Sequence, residues 1–291
     1  NARANLTRCW LVRAMRAGLV QLCSSDQPLA NIPVTEGFIR EAAAKGAEFI
    51  LTPEVTNIIS GSRSHQNQVL NFEQDDPTLA RLRIVADELN IWLLIGSLAL
   101  KTGDADGRFA NRSFLIGPNG AINAKYDKIH MFDVNVTETE TFRESEGFRP
   151  GDKAVLAQTS FGAVGMTICY DLRFPHLHRD LAKAGAQIIT EPAAFSPVTG
   201  AAHWHVLLRA RAIETGTFVL APAQCGQHSV STGKPRETYG HSLAVAPWGE
   251  VLADGGTAPG VTLVDLNLAE VEKARKRVPA LTHDRAYQGL V

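Results

Sequence analysis

The sequence predicts an α/β layered fold in which two β-sheets pack together with helices outside. Strand-like apolar runs alternate with helical segments along the chain, and the spacing between strands is mixed. So many strands need two faces covered, which two packed sheets with outer helices provide at this length. From Arg16, RAGLVQLCS reads as a strand, a helix follows over Val34 to Lys45, and AEFILT is the next strand. A helix over Asp76 to Leu89 leads into IWLLIGSLAL and then NRSFLIG. No helix separates those last two, so part of the sheet is expected to be antiparallel.

The second half repeats the logic. KAVLAQT and GAVGMTIC are two extended segments around a turn at Phe161-Gly162, with the second reaching Cys169. A helix around His176 to Ala184, the strand AQIITEP and a helix over Ala201 to Thr215 follow. TFVLAPA, GHSLAVAPWG and GVTLVDL complete the strands. Gly216 stands directly after AHWHVLLRARAIET, where a helix C-cap favours glycine. There is no short internal repeat and no Pro/Gly/Ser-rich linker, so residues 15–291 read as one domain. Residues 1–14, NARANLTRCWLVRA, carry three arginines, no acid and no clear period, and read as an expression remnant or upstream extension rather than a targeting arm.

With 45% hydrophobic and 20% charged residues and a formal net charge of -1, the 291-residue chain has an ordinary soluble composition and no electrostatic reason to bind nucleic acid. No apolar run approaches the roughly eighteen residues of a bilayer span. The cysteines, Cys9, Cys23, Cys169 and Cys225, make neither a disulfide framework nor a CxxC zinc pair, so a reducing, cytoplasmic setting is expected. Sequons at Asn5, Asn111 and Asn135 matter only on secretion, which no signal segment supports.

In GMTICYDLRFP, Cys169 ends an apolar run and Tyr170-Asp171-Leu172-Arg173 opens a polar segment. That is the end of a strand where α/β sheets place ligands, so a sulfur there could act as a nucleophile with backbone N–H groups beyond it facing an oxyanion. An inert core cysteine is the alternative. The histidines His176, His178, His203, His205, His228 and His241 sit in no pattern that marks one as its base. Glu54 follows Pro53 and the strand EFILT, where partial desolvation would raise its pKa toward general-base use. Lys128, in AKYDKIHMFD, is either a solvated turn residue or an ammonium that stabilises a thiolate and an oxyanion.

FILTPE, YDKIHMFD and GMTICYDLRFP occur in that order, with AHWHVLLRARAIET and YGHSLAVAPWGEVLA beyond them. From about Arg16 to at least Leu266 the chain resembles the nitrilase, or carbon–nitrogen hydrolase, superfamily. The resemblance implies a four-layer αββα sandwich, a Glu54–Lys128–Cys169 triad and a second glutamate, Glu144, that supports the lysine and helps position substrate. Its implied reaction is amide hydrolysis without metal or cofactor, with Lys128 and the Tyr170 N–H stabilising the oxyanion. Thr52 replaces a more usual apolar residue and is expected to add a local hydrogen bond.

Similarity favours the amidase branch that contains deaminated glutathione amidase and omega-amidase, hence a small 2-oxo acid amide or deaminated tripeptide. Arg173 would meet the anionic substrate or else pair with Asp171, and Phe195 and Thr199 would shape the opposite wall or make ordinary loop contacts. Nitrilase and carbamoyl amino-acid hydrolase activity are the enzymatic alternatives, and a catalytically silent scaffold subunit the non-enzymatic one. Pairing through helices into a homodimer is implied, with a tetramer open.

Overall fold

Side chains of adjacent residues in the central strands go to different cores, and this sets the layers. In the strand Phe49–Leu51, Phe49 and Leu51 join one cluster while Ile50 joins another. In Ile188–Thr190, Ile188 joins the first of these and Ile189 a third. Each strand therefore has two apolar faces, as a sheet sandwiched between another sheet and helices requires. The structure is a computed structural model that describes residues 14–138 and 140–289; the reading of the N-terminal extension and the Asn5 sequon lie outside them, apart from Ala14.

The first half contains β1 (Met15–Gln21), α1 (Pro28–Ala44), β2 (Phe49–Leu51), α2 (Arg63–Val69), α3 (Pro77–Leu89), β3 (Trp92–Lys101), β4 (Phe109–Ile116) and β5 (Ile122–Asp127). A hairpin of β6 (Asp133–Asn135) and β7 (Thr141–Arg143) leads into the single turn α4 (Glu144–Gly147). The second half contains β8 (Val155–Gln158), β9 (Ala163–Met166), α5 (Pro175–Lys183), β10 (Ile188–Thr190), α6 (Pro197–Thr215) and β11 (Phe218–Ala221). It continues with β12 (Cys225–Gln227), β13 (Glu237–Tyr239), β14 (Leu243–Val245), β15 (Val251–Asp254), β16 (Gly260–Leu266) and α7 (Ala269–Arg277).

One six-stranded sheet runs β16-β1-β2-β3-β4-β5 and the other β15-β14-β11-β10-β9-β8. In each, a parallel trio (β1, β2, β3 or β9, β10, β11) is extended on both sides by antiparallel strands. The helix-free step from β3 to β4 is antiparallel, as expected. Leu19, Phe49, Leu51 and Leu94 of the first sheet pack against the second sheet's Val164, Met166, Ile188 and Leu220. Ile39, Leu79, Leu82 and Val85 of α1 and α3 cover the first sheet's outer face, and Leu177 and Leu181 of α5 cover the second's. The layers are α, β, β, α.

Two helices begin earlier than their sequence pattern suggests. α1 starts at Pro28 and contains Pro33, whose missing N–H and ring normally end a helix interior; burial of Asn31, Thr35, Ile39 and Ala42 on one side overrides that local cost. α6 starts at Pro197, capped by the Ser196 hydroxyl on the Thr199 N–H, and ends at Gly216 with φ 58°. The ladder of β9 also stops short of Cys169, at Met166. The Asp171 carboxylate takes the Ile168 N–H at 2.9 Å, and Cys169 opens a 3-10 turn over Cys169–Arg173.

Candidate active site

The ends of the two parallel trios converge on a cavity of about 880 Å³. Glu54 enters it just beyond β2, Lys128 directly after β5 and Cys169 beyond β9, so two groups come from the first sheet and one from the second. A smaller cavity of about 360 Å³ between α6 and α7 contains none of them.

Both turns that present Glu54 and Cys169 hold an unusual backbone. Val55 has φ 45° and Cys169 φ 52°. For L-residues this left-handed region costs roughly 1–2 kcal/mol each, and it persists where surrounding bonds over-determine it. Val55 donates its N–H to Ser97 Oγ at 2.7 Å. Thr52 Oγ1 accepts the Gly96 N–H at 3.1 Å and lies 2.8 Å from Thr56 Oγ1, so Thr52 does add local hydrogen bonding. Cys169 donates its N–H to the Pro192 carbonyl at 3.0 Å. Asp171 is fully buried and accepts from the Tyr126 hydroxyl at 2.6 Å and the His130 N–H at 3.1 Å, which ties the cysteine turn to the segment carrying Lys128.

Lys128 is 2% exposed, and its Nζ donates to Glu54 Oε1 at 2.9 Å and to Glu144 Oε1 and Oε2 at 2.9 and 2.8 Å. Phe132 donates its N–H to Glu144 Oε2 at 2.7 Å, and Ala194 donates its N–H to Glu54 Oε2 at 2.9 Å. Asn111 Nδ2 donates to Glu54 Oε1 at 2.9 Å and Glu144 Oε1 at 3.3 Å. The Cys169 thiol faces the same groups, with the Glu54 carboxylate, the Lys128 ammonium and the Ala194 N–H all acting on it.

One buried cation thus faces two carboxylates and a thiol. Burial by itself would raise the Glu54 carboxyl, but the Lys128 ammonium outweighs it and holds the group below the usual glutamate range. Burial also opposes the ammonium of Lys128, and the charges of Glu144 and Glu54 override it, pushing that pKa well up. Burial and then the Glu54 charge push the Cys169 thiol well above its ordinary value, against Lys128. The resting arrangement is thiol, carboxylate and ammonium, so a proton can pass from Cys169 to Glu54 without changing the site's net charge.

The structure therefore brings Glu54, Lys128, Glu144 and Cys169 together, and Tyr170 and Phe195 line the same cavity. Tyr170 follows at the start of the 3-10 turn, where leading N–H groups have no acceptor within the turn. Arg173 and Thr199 are not among the lining residues. The Arg173 guanidinium lies 6.0 and 5.6 Å from the Tyr170 and Phe195 ring centres and 3.3 Å from His203 Nδ1. Its alternative pairing with Asp171 is not formed, because that carboxylate is engaged by Tyr126, His130 and Ile168. Thr199 sits in the first turn of α6 beside its Ser196 cap, with the two hydroxyl oxygens 3.1 Å apart.

No histidine among the described residues lines the cavity: His178 bonds Glu191, His228 bonds Ser24 and Thr238, and His205 and His241 bond Asp254. Sequence reasoning missed three groups. Asn111 registered only as a sequon, yet it is 2% exposed and its Oδ1 is buried without a partner in the cavity wall. The Ala194 N–H, which holds Glu54 Oε2, carries no side-chain signal. Arg236 also lines the cavity, from a loop whose fold-back no local pattern encodes.

Hydrolysis of a carbon–nitrogen bond through a cysteine is the class of chemistry that this αββα fold supports. The chain belongs to the carbon-nitrogen hydrolase family, whose pattern matches residues 16–276. It is 36% identical over 274 residues to the deaminated glutathione amidase of Yersinia enterocolitica, covering 94% of each chain. It is 34% identical over 273 residues to the omega-amidase of Homo sapiens, covering 94% of this chain and 96% of that one. The crystal structure of the C. elegans NitFhit protein superposes with a TM-score of 0.86 at 32% identity, over 94% of this chain and 65% of that longer one. The protein is a carbon–nitrogen hydrolase of the nitrilase superfamily, in the amidase branch, with cysteine-hydrolase chemistry on a small carboxamide. None of its described helices is long and apolar enough to cross a membrane.

Proposed function

We propose that the protein releases ammonia from deaminated glutathione or a related 2-oxo acid amide through a thioester on Cys169. The observation that carries the reading is Cys169 in one cavity with Glu54 and the buried Lys128 ammonium, which donates to Glu54. Glu54 takes the thiol proton as sulfur attacks the amide carbon, and the charge on the carbonyl oxygen is met by Lys128 and the Tyr170 N–H. Glu54 returns that proton to the departing nitrogen, which leaves as ammonia. In the second half Glu54 deprotonates water, hydroxide attacks the thioester, and the proton goes back to sulfur as the acid product leaves. Glu144 holds Lys128 in place through both phases.

Similarity to the Yersinia and human amidases supports an amide of a 2-oxo acid over a nitrile or a carbamoyl amino acid. In this reading residues 15–291 act as one catalytic domain in the cytoplasm. The outward face of α6 supports a homodimer, with Val198, Val206 and Ile213 exposed by 51, 67 and 55% at spacings that align them on one side. A monomer mass in light scattering would overturn that pairing.

Ammonia release from deaminated glutathione, 2-oxoglutaramate, a carbamoyl amino acid and a simple nitrile tests the activity, with Cys169→Ala as control. Preference for deaminated glutathione, lost in the variant, is expected. Preference for another compound moves the substrate assignment, and ammonia release that survives Cys169→Ala overturns the mechanism.

A further inference from the structure

We propose that Arg236 is a specificity-determining residue, receiving the carboxylate of an acidic amide whose carboxamide lies at Cys169; this rests on the catalytic reading given above. Arg236 immediately precedes β13, and its Nη2 donates to the Ala194 carbonyl. Its Nε is buried and has no hydrogen-bond partner. A guanidinium stays charged at any working pH and presents its donors in a planar fork that fits a carboxylate. Nη1 makes no hydrogen bond among the described residues and is not buried, so the guanidinium keeps a donor for an acceptor that the protein does not itself supply.

Of the other cations of the wall, Lys234 is solvent-exposed and the remaining three are occupied. Lys128 is held by Glu54 and Glu144, and Arg63 donates to the Gly147 and Gly107 carbonyls. Arg143 donates to the carbonyls of Val134 and Phe142 and to Asn135. No ion pair among the described residues engages Arg236, although its charge is felt at Glu54. Acids also line the mouth, at Glu140, Glu146 and Glu237, so the cavity is no general attractor of anions. Selection must come from short-range pairing with the fork. Ala194 fixes the distance relation, since its carbonyl holds Arg236 while its N–H holds Glu54.

The test compares kcat/KM for succinamate and butyramide, matched linear amides with and without a carboxylate, in the wild type and Arg236→Gln. The wild type is expected to prefer succinamate. The variant should lose about 10- to 100-fold more on succinamate than on butyramide, chiefly through KM. Arg236→Lys, which keeps the charge without the fork, should fall between the two, and guards against a Gln variant that folds poorly. Equal losses on both amides would reduce Arg236 to a prop for Ala194, and an unchanged rate on succinamate would remove its role. Wild-type turnover of butyramide without preference for succinamate overturns this proposal alone; ammonia from neither amide overturns the catalytic reading with it.

Discussion

Glu144 grips Lys128 with both carboxylate oxygens, at 2.9 and 2.8 Å, whereas Glu54 touches the same ammonium with one. The asymmetry leaves Glu54 Oε2 free of the lysine, held only by the Ala194 N–H. Glu144→Gln would remove one negative partner and hand the ammonium more fully to Glu54, making that carboxylate a weaker base. We expect kcat to fall about 100-fold or more while the fold persists. Steady-state ammonia release alongside circular dichroism checks this; a variant with near-native kcat contradicts it.

The pH profile follows from the directions of the shifts. Glu54 lies below the usual glutamate range of about 4.3, and Cys169 lies above the usual thiol value of about 8.5. The required ionised Glu54 and protonated thiol therefore coexist from below about pH 5 to above about pH 8.5, so kcat/KM should be flat within about 3-fold across that window. Stability follows the same signs. The contribution of Glu54 is present above its unfolded pKa and is lost as pH falls through the folded one; that of Lys128 is present below its unfolded pKa and is lost as pH rises through the folded one. An inflection in kcat/KM between pH 6 and 7 would instead point to a histidine.

Gly96 marks where the β3 backbone meets the Glu54 turn. A Cβ there would stand 2.0 Å from the Thr52 carbonyl oxygen, 2.5 Å from that of Pro53 and 2.6 Å from Pro192 Cβ. Two of these are backbone atoms, and Pro192 also accepts the Cys169 N–H. Gly96→Ala should cost about 3 kcal/mol in urea unfolding and depress activity even where the protein remains folded. A midpoint within error of wild type would mean that the turn yields freely.

Asp76 caps α3 through the Leu79 N–H at 2.8 Å, yet burial raises its carboxyl to about 6. A raised carboxyl contributes stability below its unfolded pKa and loses it as pH rises through the folded value, so the charged form at pH 8 is the unfavourable one. Asn is an equally good cap without the charge. Asp76→Asn should therefore gain about 1 kcal/mol or more over wild type between pH 5 and pH 8, read as the change in urea midpoint difference. The same difference at both pH values contradicts it.

The layers were legible because the alternation of strand-like and helical runs, and the missing helix between β3 and β4, are local pattern. Glu54 and Cys169 were legible as residues at strand ends, Lys128 only as a turn lysine because β5 went unseen, and Glu144 through resemblance alone. What stayed hidden depends on which distant segments touch. Asn111 looks like any strand asparagine until β4 lies beside the Glu54 turn, and Arg236 looks like a loop cation until the segment before β13 folds over the cavity. The end of β9 was misjudged by three residues because Asp171, a side chain beyond the apolar run, competes for the backbone N–H of Ile168.

The reacting groups do not belong to one sheet: Glu54 and Lys128 ride on the first, Cys169 on the second, and the interface between them is a layer of aliphatic and aromatic side chains crossed by a few bonds, among them Tyr126 to Asp171 and the Ala194 N–H to Glu54. A shift of one sheet against the other would spare every ladder bond, strain only those few crossings, and part the acid from the sulfur. The enzyme should accordingly fall silent before it melts, its turnover fading at a lower urea concentration than the one that exposes the buried indole of Trp204.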